Sequence, residues 1–88
     1  MPQAIRIAAD VVFEVLDGET VVLNLTSGEY HTLNATGTRA WQLIEEHGDL
    51  ERVREAMAAE FDVEPERLAR DLDTLVGDLV ERKLLVSE

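Results

Sequence analysis

The stretch that decides the fold is DVVFEVLDGETVVLNLTSGEYHTL, residues 10–33. It is rich in Val, Leu, Thr and Tyr, and apolar residues recur at every second position between short turn signals. Asp17-Gly18 is typical of a hairpin turn, because glycine accepts a positive φ without steric cost. Thr26-Ser27-Gly28 marks a second turn. Strands at about 11–16, 20–25 and 29–33 are therefore predicted to form a three-stranded antiparallel meander.

After this stretch the apolar period changes from two to about 3.6, which predicts three helices within about residues 34–85. The signals for helix ends are capping residues, a terminating glycine and a helix-starting proline: Asn34 or Thr36, Gly48, Asp49 and Pro65. Strands followed by helices predict a single α+β domain over residues 1–88, with the helices packed on one face of the sheet.

The overall charge limits the classes of partner. The 88 residues include 8 Lys or Arg and 19 Asp or Glu, so the formal net charge is −11. Such a field repels phosphate backbones and disfavours nucleic acid as a partner. No apolar run approaches the roughly 18 residues of a membrane span, and the first nine residues lack the pattern of a signal peptide. We therefore expect a cytoplasmic protein that contacts no membrane.

The side chains available for catalysis are few. Cysteine is absent, which excludes disulfides, thiolate metal sites and cysteine nucleophiles. His31 and His47 are the only histidines, and neither has a second histidine at the spacing of metal ligands. Ser27 lies in a turn without a G-x-S-x-G context, and there is no glycine-rich phosphate loop. We expect a protein that is not an enzyme and that uses no cofactor and no metal.

Two residues of the predicted helices have alternative interpretations. Trp41 lies at helical spacing from Gly37 and Ile44, which favours a place in the core over stacking on a ligand. Gly77 lies inside the third helix, where glycine costs about 0.5–1 kcal/mol relative to alanine. Close packing of helix on sheet would explain this glycine, and so would room for a partner beside the helix.

Residues 25–37, LTSGEYHTLNATG, resemble the PqqD family. The shared pattern is a strand, a turn with glycine, an aromatic residue, and Leu-Asn-x-Thr-Gly opening a helix with Trp41 four residues later. The resemblance continues through the helix start at Pro65-Glu66, Asp71 and the closing Leu84-Leu85. It implies a fold like a winged helix–turn–helix and a role as recognition element for ribosomally synthesised and post-translationally modified peptides (RiPPs).

Such elements hold the leader segment of a precursor peptide as an extra strand beside the third strand, over a groove formed with the third helix. The pyrroloquinoline quinone branch favours a Pro-Glu turn before that strand, where this chain has Gly28-Glu29-Tyr30. The Gly-x-Tyr form is similar to stand-alone leader-binding subunits of lasso-peptide systems. The implied partners are the precursor peptide, a leader peptidase and a ring-closing enzyme.

A strand edge and one stripe of the third helix are the candidate peptide-binding surface. Strand addition uses an open edge, where main-chain hydrogen bonds give affinity and alternate side chains give specificity. We expect Leu75 to floor an apolar groove, and Asp71 and Asp78 to meet cationic leader residues. The candidate residues are Glu29, Tyr30, His31, Thr32, Leu33, Arg67, Arg70, Asp71, Thr74, Leu75 and Asp78.

Two alternatives belong to other classes of protein. A winged-helix transcription regulator would need basic residues clustered on a recognition helix, but residues 63–88 contain seven acidic and four basic residues. A structural subunit would pair its strand edge with another protein or with its own copy.

Overall fold

The computed structural model describes residues 4–87 of the chain. The elements within this range are, in order, β1 (Ile5–Ile7), β2 (Val11–Leu16), β3 (Glu19–Asn24), β4 (Tyr30–Leu33), α1 (Ala35–His47), α2 (Leu50–Glu60), α3 (Pro65–Glu81) and β5 (Leu85–Ser87). Strands β2, β3 and β4 form an antiparallel sheet in that order, and the three helices follow it. The predicted α+β meander with three helices is confirmed.

Two tight turns set the register of the meander. Asp17 and Gly18 have φ of 52° and 78°, a left-handed pair that closes the β2–β3 hairpin with Leu16 opposite Glu19. The turn before β4 is organised by the Asn24 side chain. Its Oδ1 accepts the backbone N–H groups of the two residues at 26 and 27, at 2.9 and 3.1 Å.

The two faces of the meander differ in burial. The inner face lies against the helices, and its residues Val22 and Leu33 are buried. Phe13 on this face stands edge-on to Trp41, with ring centroids 5.4 Å apart at 76°. Trp41 itself is fully buried, which confirms its predicted place in the core. The outer face, with Tyr30 among its residues, is uncovered.

The helix ends follow the predicted signals. The side chain of Asn34 accepts the Gly37 N–H at 2.8 Å, so Asn34 rather than Thr36 caps α1. Gly48 ends that helix in the left-handed conformation, with φ of 65°. Asp49 caps α2, and α3 begins at its proline as predicted. The apolar stripes of all three helices face a common core.

A second sheet was not predicted. Strands β1 and β5 pair antiparallel, with Ile5 opposite Ser87. The expectation of helix as far as residue 85 is wrong, because α3 ends at Glu81 and the chain reverses at Lys83, whose φ is 64°. The reversal buries Leu84, whose C=O accepts the Ala8 N–H at 3.1 Å. The buried apolar side chains at this end are therefore held by a strand pair rather than by a longer helix.

Gly77 corrects a second expectation. It is exposed, and a Cβ added there would meet no atom within 4 Å. The interpretation of this glycine as a site of close helix–sheet packing is therefore wrong. Within residues 4–87, none of the helices has the length and apolar character that crossing a membrane requires.

Candidate peptide-binding site

Strand β4 is an edge strand, and its backbone hydrogen bonds show which groups face outward. The β3–β4 register ends with Leu23 opposite Tyr30, and one residue further the Asn24 N–H donates to the Glu29 C=O at 2.9 Å. Hydrogen-bonded and non-hydrogen-bonded pairs alternate along antiparallel strands, so His31 is bonded to β3 in the same way. The backbone groups of Tyr30 and Thr32 therefore point away from the sheet. The sequence alone leaves this parity open.

A groove of about 420 Å³, here called the β4–α3 groove, runs beside this edge. Its lining comes from the whole of β4 and from one side of α3 and its C-cap: Tyr30, His31, Thr32, Leu33, Leu75, Asp78, Leu79 and Arg82. Leu33 and Leu79 are buried beneath it, and Leu75 is half-buried. The groove therefore has an apolar floor directly beside unpaired backbone of the sheet.

A second cavity of about 330 Å³, the three-helix pocket, adjoins the groove at Leu75, which lines both. It is mainly apolar, and its lining residues are Thr36, Ala40, Met57, Phe61, Val63, Arg67, Leu68, Asp71, Leu72 and Leu75. Phe61 and Val63 reach it from the connection between α2 and α3. An apolar path thus leads from the β4 edge toward that connection.

The charged side chains along these cavities are paired. Arg82 Nε lies 3.1 Å from Asp78 Oδ2, and its Nη1 lies 3.4 Å from His31 Nδ1. The guanidinium of Arg82 therefore lies between the carboxylate of Asp78 and the ring of His31. Arg67 Nε lies 4.0 Å from Asp71 Oδ2. Each acid of the expected cation-binding stripe has its own arginine, so this rim of α3 is charge-balanced rather than acidic.

An ion pair that shifts the pKa values of both its members lies outside the two cavities. Arg39 donates to both carboxylate oxygens of Glu60, at 2.7 and 2.8 Å, and joins α1 to the end of α2. The hydrogen bond from Arg39 lowers the pKa of Glu60, and the same bond raises the pKa of Arg39. Since both side chains are solvent-exposed, this pair is a surface clamp rather than a reactive site.

Most of the residues proposed from sequence lie in the two cavities. Eight of the eleven line one or both of them: Tyr30, His31, Thr32, Leu33, Leu75 and Asp78 in the β4–α3 groove, and Arg67, Asp71 and again Leu75 in the three-helix pocket. The other three, Glu29, Arg70 and Thr74, are exposed and line neither cavity.

Sequence reasoning missed Arg82, Leu79 and the apolar wall of the three-helix pocket. Arg82 follows Asp78 by four residues, which is the spacing of a helical ion pair and the one signal available. For the pocket wall, the available signal was Val63, an apolar residue among the polar residues between two predicted helices. Among residues 4–87, no group of three His, Asp or Glu side chains is placed to hold a metal ion.

Comparison with known proteins connects this geometry to a family. The model of the family described as coenzyme PQQ synthesis protein D (PqqD) matches residues 19–85. No curated protein matches the chain.

Two solved structures are similar to the chain. One is TbiB1 in complex with the TbiA(beta) leader peptide, with 36% identity over 91% of this chain and 93% of that chain, and a TM-score of 0.87. The other is lasso peptide synthetase B1 complexed with the leader peptide, with 26% identity over 94% and 98% of the two chains, and a TM-score of 0.84. The chain belongs to the PqqD family.

Proposed function

We propose that this chain is a RiPP recognition element of the lasso-peptide type. It binds the leader segment of a ribosomally synthesised precursor peptide without catalysing a reaction, and presents that peptide to separate enzymes. The similarity to two leader-peptide complexes supports this assignment, one of them at 36% identity over nearly the whole chain. Because the precursor is made on ribosomes, the proposed place of action is the cytoplasm.

The observation that carries the proposal is the open β4 edge beside an apolar groove. The outward N–H and C=O groups of Tyr30 and Thr32 supply the hydrogen bonds for an added strand. Successive side chains of a strand point to opposite faces. Alternate guest side chains therefore enter the β4–α3 groove over Leu75 and Leu79, while the others emerge on the side of Tyr30.

The three-helix pocket extends the same site. A guest strand at β4 that continues along α3 reaches Leu75, which lines both cavities, and then Phe61 and Val63. Arg67 and Asp71 lie at this entrance with opposite charges. The pocket thus selects apolar guest side chains, while the paired charges at its entrance add little net attraction for either sign.

Binding of the leader presents the precursor to an enzyme by raising the effective concentration of the precursor near that enzyme. A tethered leader makes the encounter of enzyme and precursor nearly intramolecular. The enzymes proposed as partners are a leader peptidase and a ring-closing enzyme. A transcription regulator is not favoured, because residues 7–38, which include the whole meander, contain no Lys or Arg to meet a phosphate backbone.

Titration calorimetry with a synthetic leader peptide tests the proposal. We expect a Kd between about 1 μM and 1 nM, with a scrambled peptide of the same composition as the control. Between about 50 and 500 mM salt the affinity should change only mildly, because backbone pairing and apolar contacts dominate. Absence of binding, equal binding of the scrambled peptide, or an affinity that collapses across this salt range contradicts the proposal.

A further inference from the structure

The β4–α3 groove changes in chemistry along its length. At one end Leu33 is buried, and Thr36 just after it shares the three-helix pocket with Leu75. At the other end the side chain of Arg82, the C-cap of α3, reaches β4, with Nη1 3.4 Å from His31 Nδ1. Since Leu75 and Arg82 are about two helical turns apart, the apolar and polar ends lie about 10 Å from each other.

Strand β4 presents these two ends to a guest strand at two different positions. His31 and Leu33 both face the helices, because the register pairs them with the buried residues Val22 and Thr20. Guest residues opposite His31 and Leu33 point to the same inner face, since cross-strand neighbours share a face of the sheet. These two guest residues are separated by one residue, and one enters the polar end while the other enters the apolar end.

Arg82 has hydrogen-bond donors that the protein does not use. Its Nε lies 3.1 Å from Asp78 Oδ2 and its Nη1 points to His31, but Nη2 makes no hydrogen bond to any residue in the range 4–87. A guanidinium carries five N–H groups, and two of them are on Nη2. The Arg82 side chain is 48% exposed, so water can satisfy these donors in the free chain.

A bound leader removes this water. A strand laid along β4 covers the groove, and a charged donor that is covered without an acceptor loses its hydration without compensation. The guest backbone is directed at the outward groups of Tyr30 and Thr32, so it is not aimed at Arg82. The guest side chain opposite His31 must therefore supply the acceptor.

The charges at this end distinguish among possible guest side chains. Asp78 already balances Arg82. A guest lysine or arginine supplies no acceptor and brings a second cation to Arg82. A guest carboxylate accepts, but it places a second anion beside Asp78 in a chain whose formal net charge is −11. An uncharged amide or hydroxyl accepts from Nη2 and leaves the ion pair in place.

We infer that Arg82 is a specificity-determining residue of the leader site. It selects an uncharged side chain with a hydrogen-bond acceptor, such as asparagine, glutamine, serine or threonine, at the leader position opposite His31. Two residues away in the leader, the position opposite Leu33 takes an apolar side chain over Leu75. This inference rests on the proposed function, because it needs a guest strand at β4.

A panel of leader peptides tests the inference. Each position of a labelled synthetic leader is replaced in turn by asparagine and by leucine, which are similar in shape, and affinities are measured by fluorescence anisotropy. The proteins are wild type, Arg82→Met and Arg52→Met, each checked by circular dichroism. Arg52→Met is the matched control, since Arg52 is exposed on α2 and lines neither cavity. Both substitutions remove a guanidinium and keep a long side chain.

We expect one leader position at which asparagine binds the wild-type chain roughly tenfold more tightly than leucine, as for a hydrogen bond to a charged group. In Arg82→Met this preference should disappear, and in Arg52→Met it should remain. At a position two residues away, leucine should be preferred by all three proteins. Lysine or aspartate at the first position should bind wild type more weakly than asparagine.

Several outcomes overturn the inference. An asparagine preference that is absent from wild type, that persists in Arg82→Met or that is lost equally in Arg52→Met removes the role of Arg82. Tighter binding of aspartate than of asparagine assigns this end of the groove to a carboxylate instead. The wild-type panel tests the preference by itself, whether or not Arg82→Met folds. Failure of the wild-type chain to bind the unsubstituted leader contradicts the proposed function, which is distinct from binding without the preference.

Discussion

The meander has two open edges, β4 and β2, and only one of them resembles a binding site. At the start of β2, the Leu25 N–H donates to the Asp10 C=O at 2.9 Å. Because hydrogen-bonded pairs alternate along the β2–β3 register, the backbone groups of Phe13 and Val15 point away from β3. This edge is also the longer one, with six residues against four. Free backbone is therefore present at both edges.

The difference lies in what stands beneath each edge. Beneath β2, the ring of Phe13 packs against Trp41, so the space on the inner side is filled. Beside β4, the sheet ends at a groove over Leu75 and Leu79. An edge supplies hydrogen bonds to any strand, whereas an edge with a groove also selects side chains. Substitutions at each edge and in the floor beneath it test this contrast.

Truncating a buried side chain in the floor of the β4–α3 groove should lower stability more than any other change considered. Leu79 is 2% exposed, so Leu79→Ala should lower the free energy of unfolding by about 2–5 kcal/mol, measured by urea denaturation. Val15→Ala at the β2 edge is the control, because Val15 is 39% exposed and should lose less than about 1 kcal/mol. Equal losses at the two positions would show that the groove has no packed floor.

Proline substitutions test the edges themselves. His31→Pro removes a donor that is bonded to β3, and should cost roughly 1–3 kcal/mol of stability for the unpaired carbonyl that it leaves. Tyr30→Pro and Thr32→Pro remove outward donors, so these variants should stay folded yet bind leader roughly tenfold more weakly or worse. Circular dichroism and titration calorimetry measure the two effects.

Val15→Pro provides the matched control at the other edge. It removes an outward donor from β2, with similar strain from the fixed φ of proline. The folded variant should bind leader as the wild type does. Full leader affinity in folded Thr32→Pro, or equal losses in Thr32→Pro and Val15→Pro, would end the hypothesis of strand addition at β4.

The acids of α3 should have smaller effects. Asp71→Ala and Asp78→Ala should each change the free energy of unfolding by less than about 1 kcal/mol, because both are exposed. At least one should weaken leader binding in calorimetry, because loss of the acid leaves Arg67 or Arg82 unbalanced beside a cationic leader residue. Asp73→Ala is the control, since the Asp73 side chain is 52% exposed, like that of Asp78, but pairs with Arg54 away from both cavities. Wild-type leader affinity in both test variants would show that these two acids face solvent and do not contact the leader.

The smallest effect is expected at the clamp between α1 and α2. The hydrogen bond from Arg39 holds the pKa of Glu60 below its ordinary value of 4.5. The stability that this pair contributes is therefore present above pH 4.5 and is lost as the pH falls through the lower folded pKa. Thermal unfolding of Glu60→Gln should show a weaker decline over this acidic range than wild type, while Glu45→Gln should follow wild type.

Leader affinity near neutral pH should not change in Glu60→Gln, because Glu60 lies outside both cavities. A loss of affinity in this variant would show that the position of α2 influences the β4 edge. In that case leader binding at β4 rather than at β2 would depend on how α1 and α2 are held together, as well as on the floor of the β4–α3 groove.

Local signals made the meander and the helix ends predictable. Asp17-Gly18, Asn34 and Gly48 each act through their own backbone conformation or hydrogen bonds, so neighbouring residues in sequence suffice to interpret them. The core position of Trp41 follows in the same way from its spacing on α1. These predictions needed no knowledge of which distant elements meet.

The features that were missed depend on distant contacts. Strands β1 and β5 have three residues each, too few for a clear alternation, and they pair from opposite ends of the chain. Arg82 enters the β4–α3 groove through its contact with His31, which sequence spacing does not reveal. The outward parity of Tyr30 and Thr32 depends on which β3–β4 pair is hydrogen-bonded first. The sequence therefore located most of the candidate site, but it did not identify Arg82 or the outward-facing backbone groups of β4.

Trp41 gives the molecule an optical reporter that separates folding from recognition. It is the only tryptophan in the chain, its ring is sealed from solvent, and its indole Nε1 has no hydrogen-bond acceptor among the described residues. Such an indole emits at short wavelength and is out of reach of aqueous quenchers such as iodide and acrylamide. Global unfolding must shift its emission to the red and open it to quenching, whereas a strand laid along β4 leaves its surroundings intact.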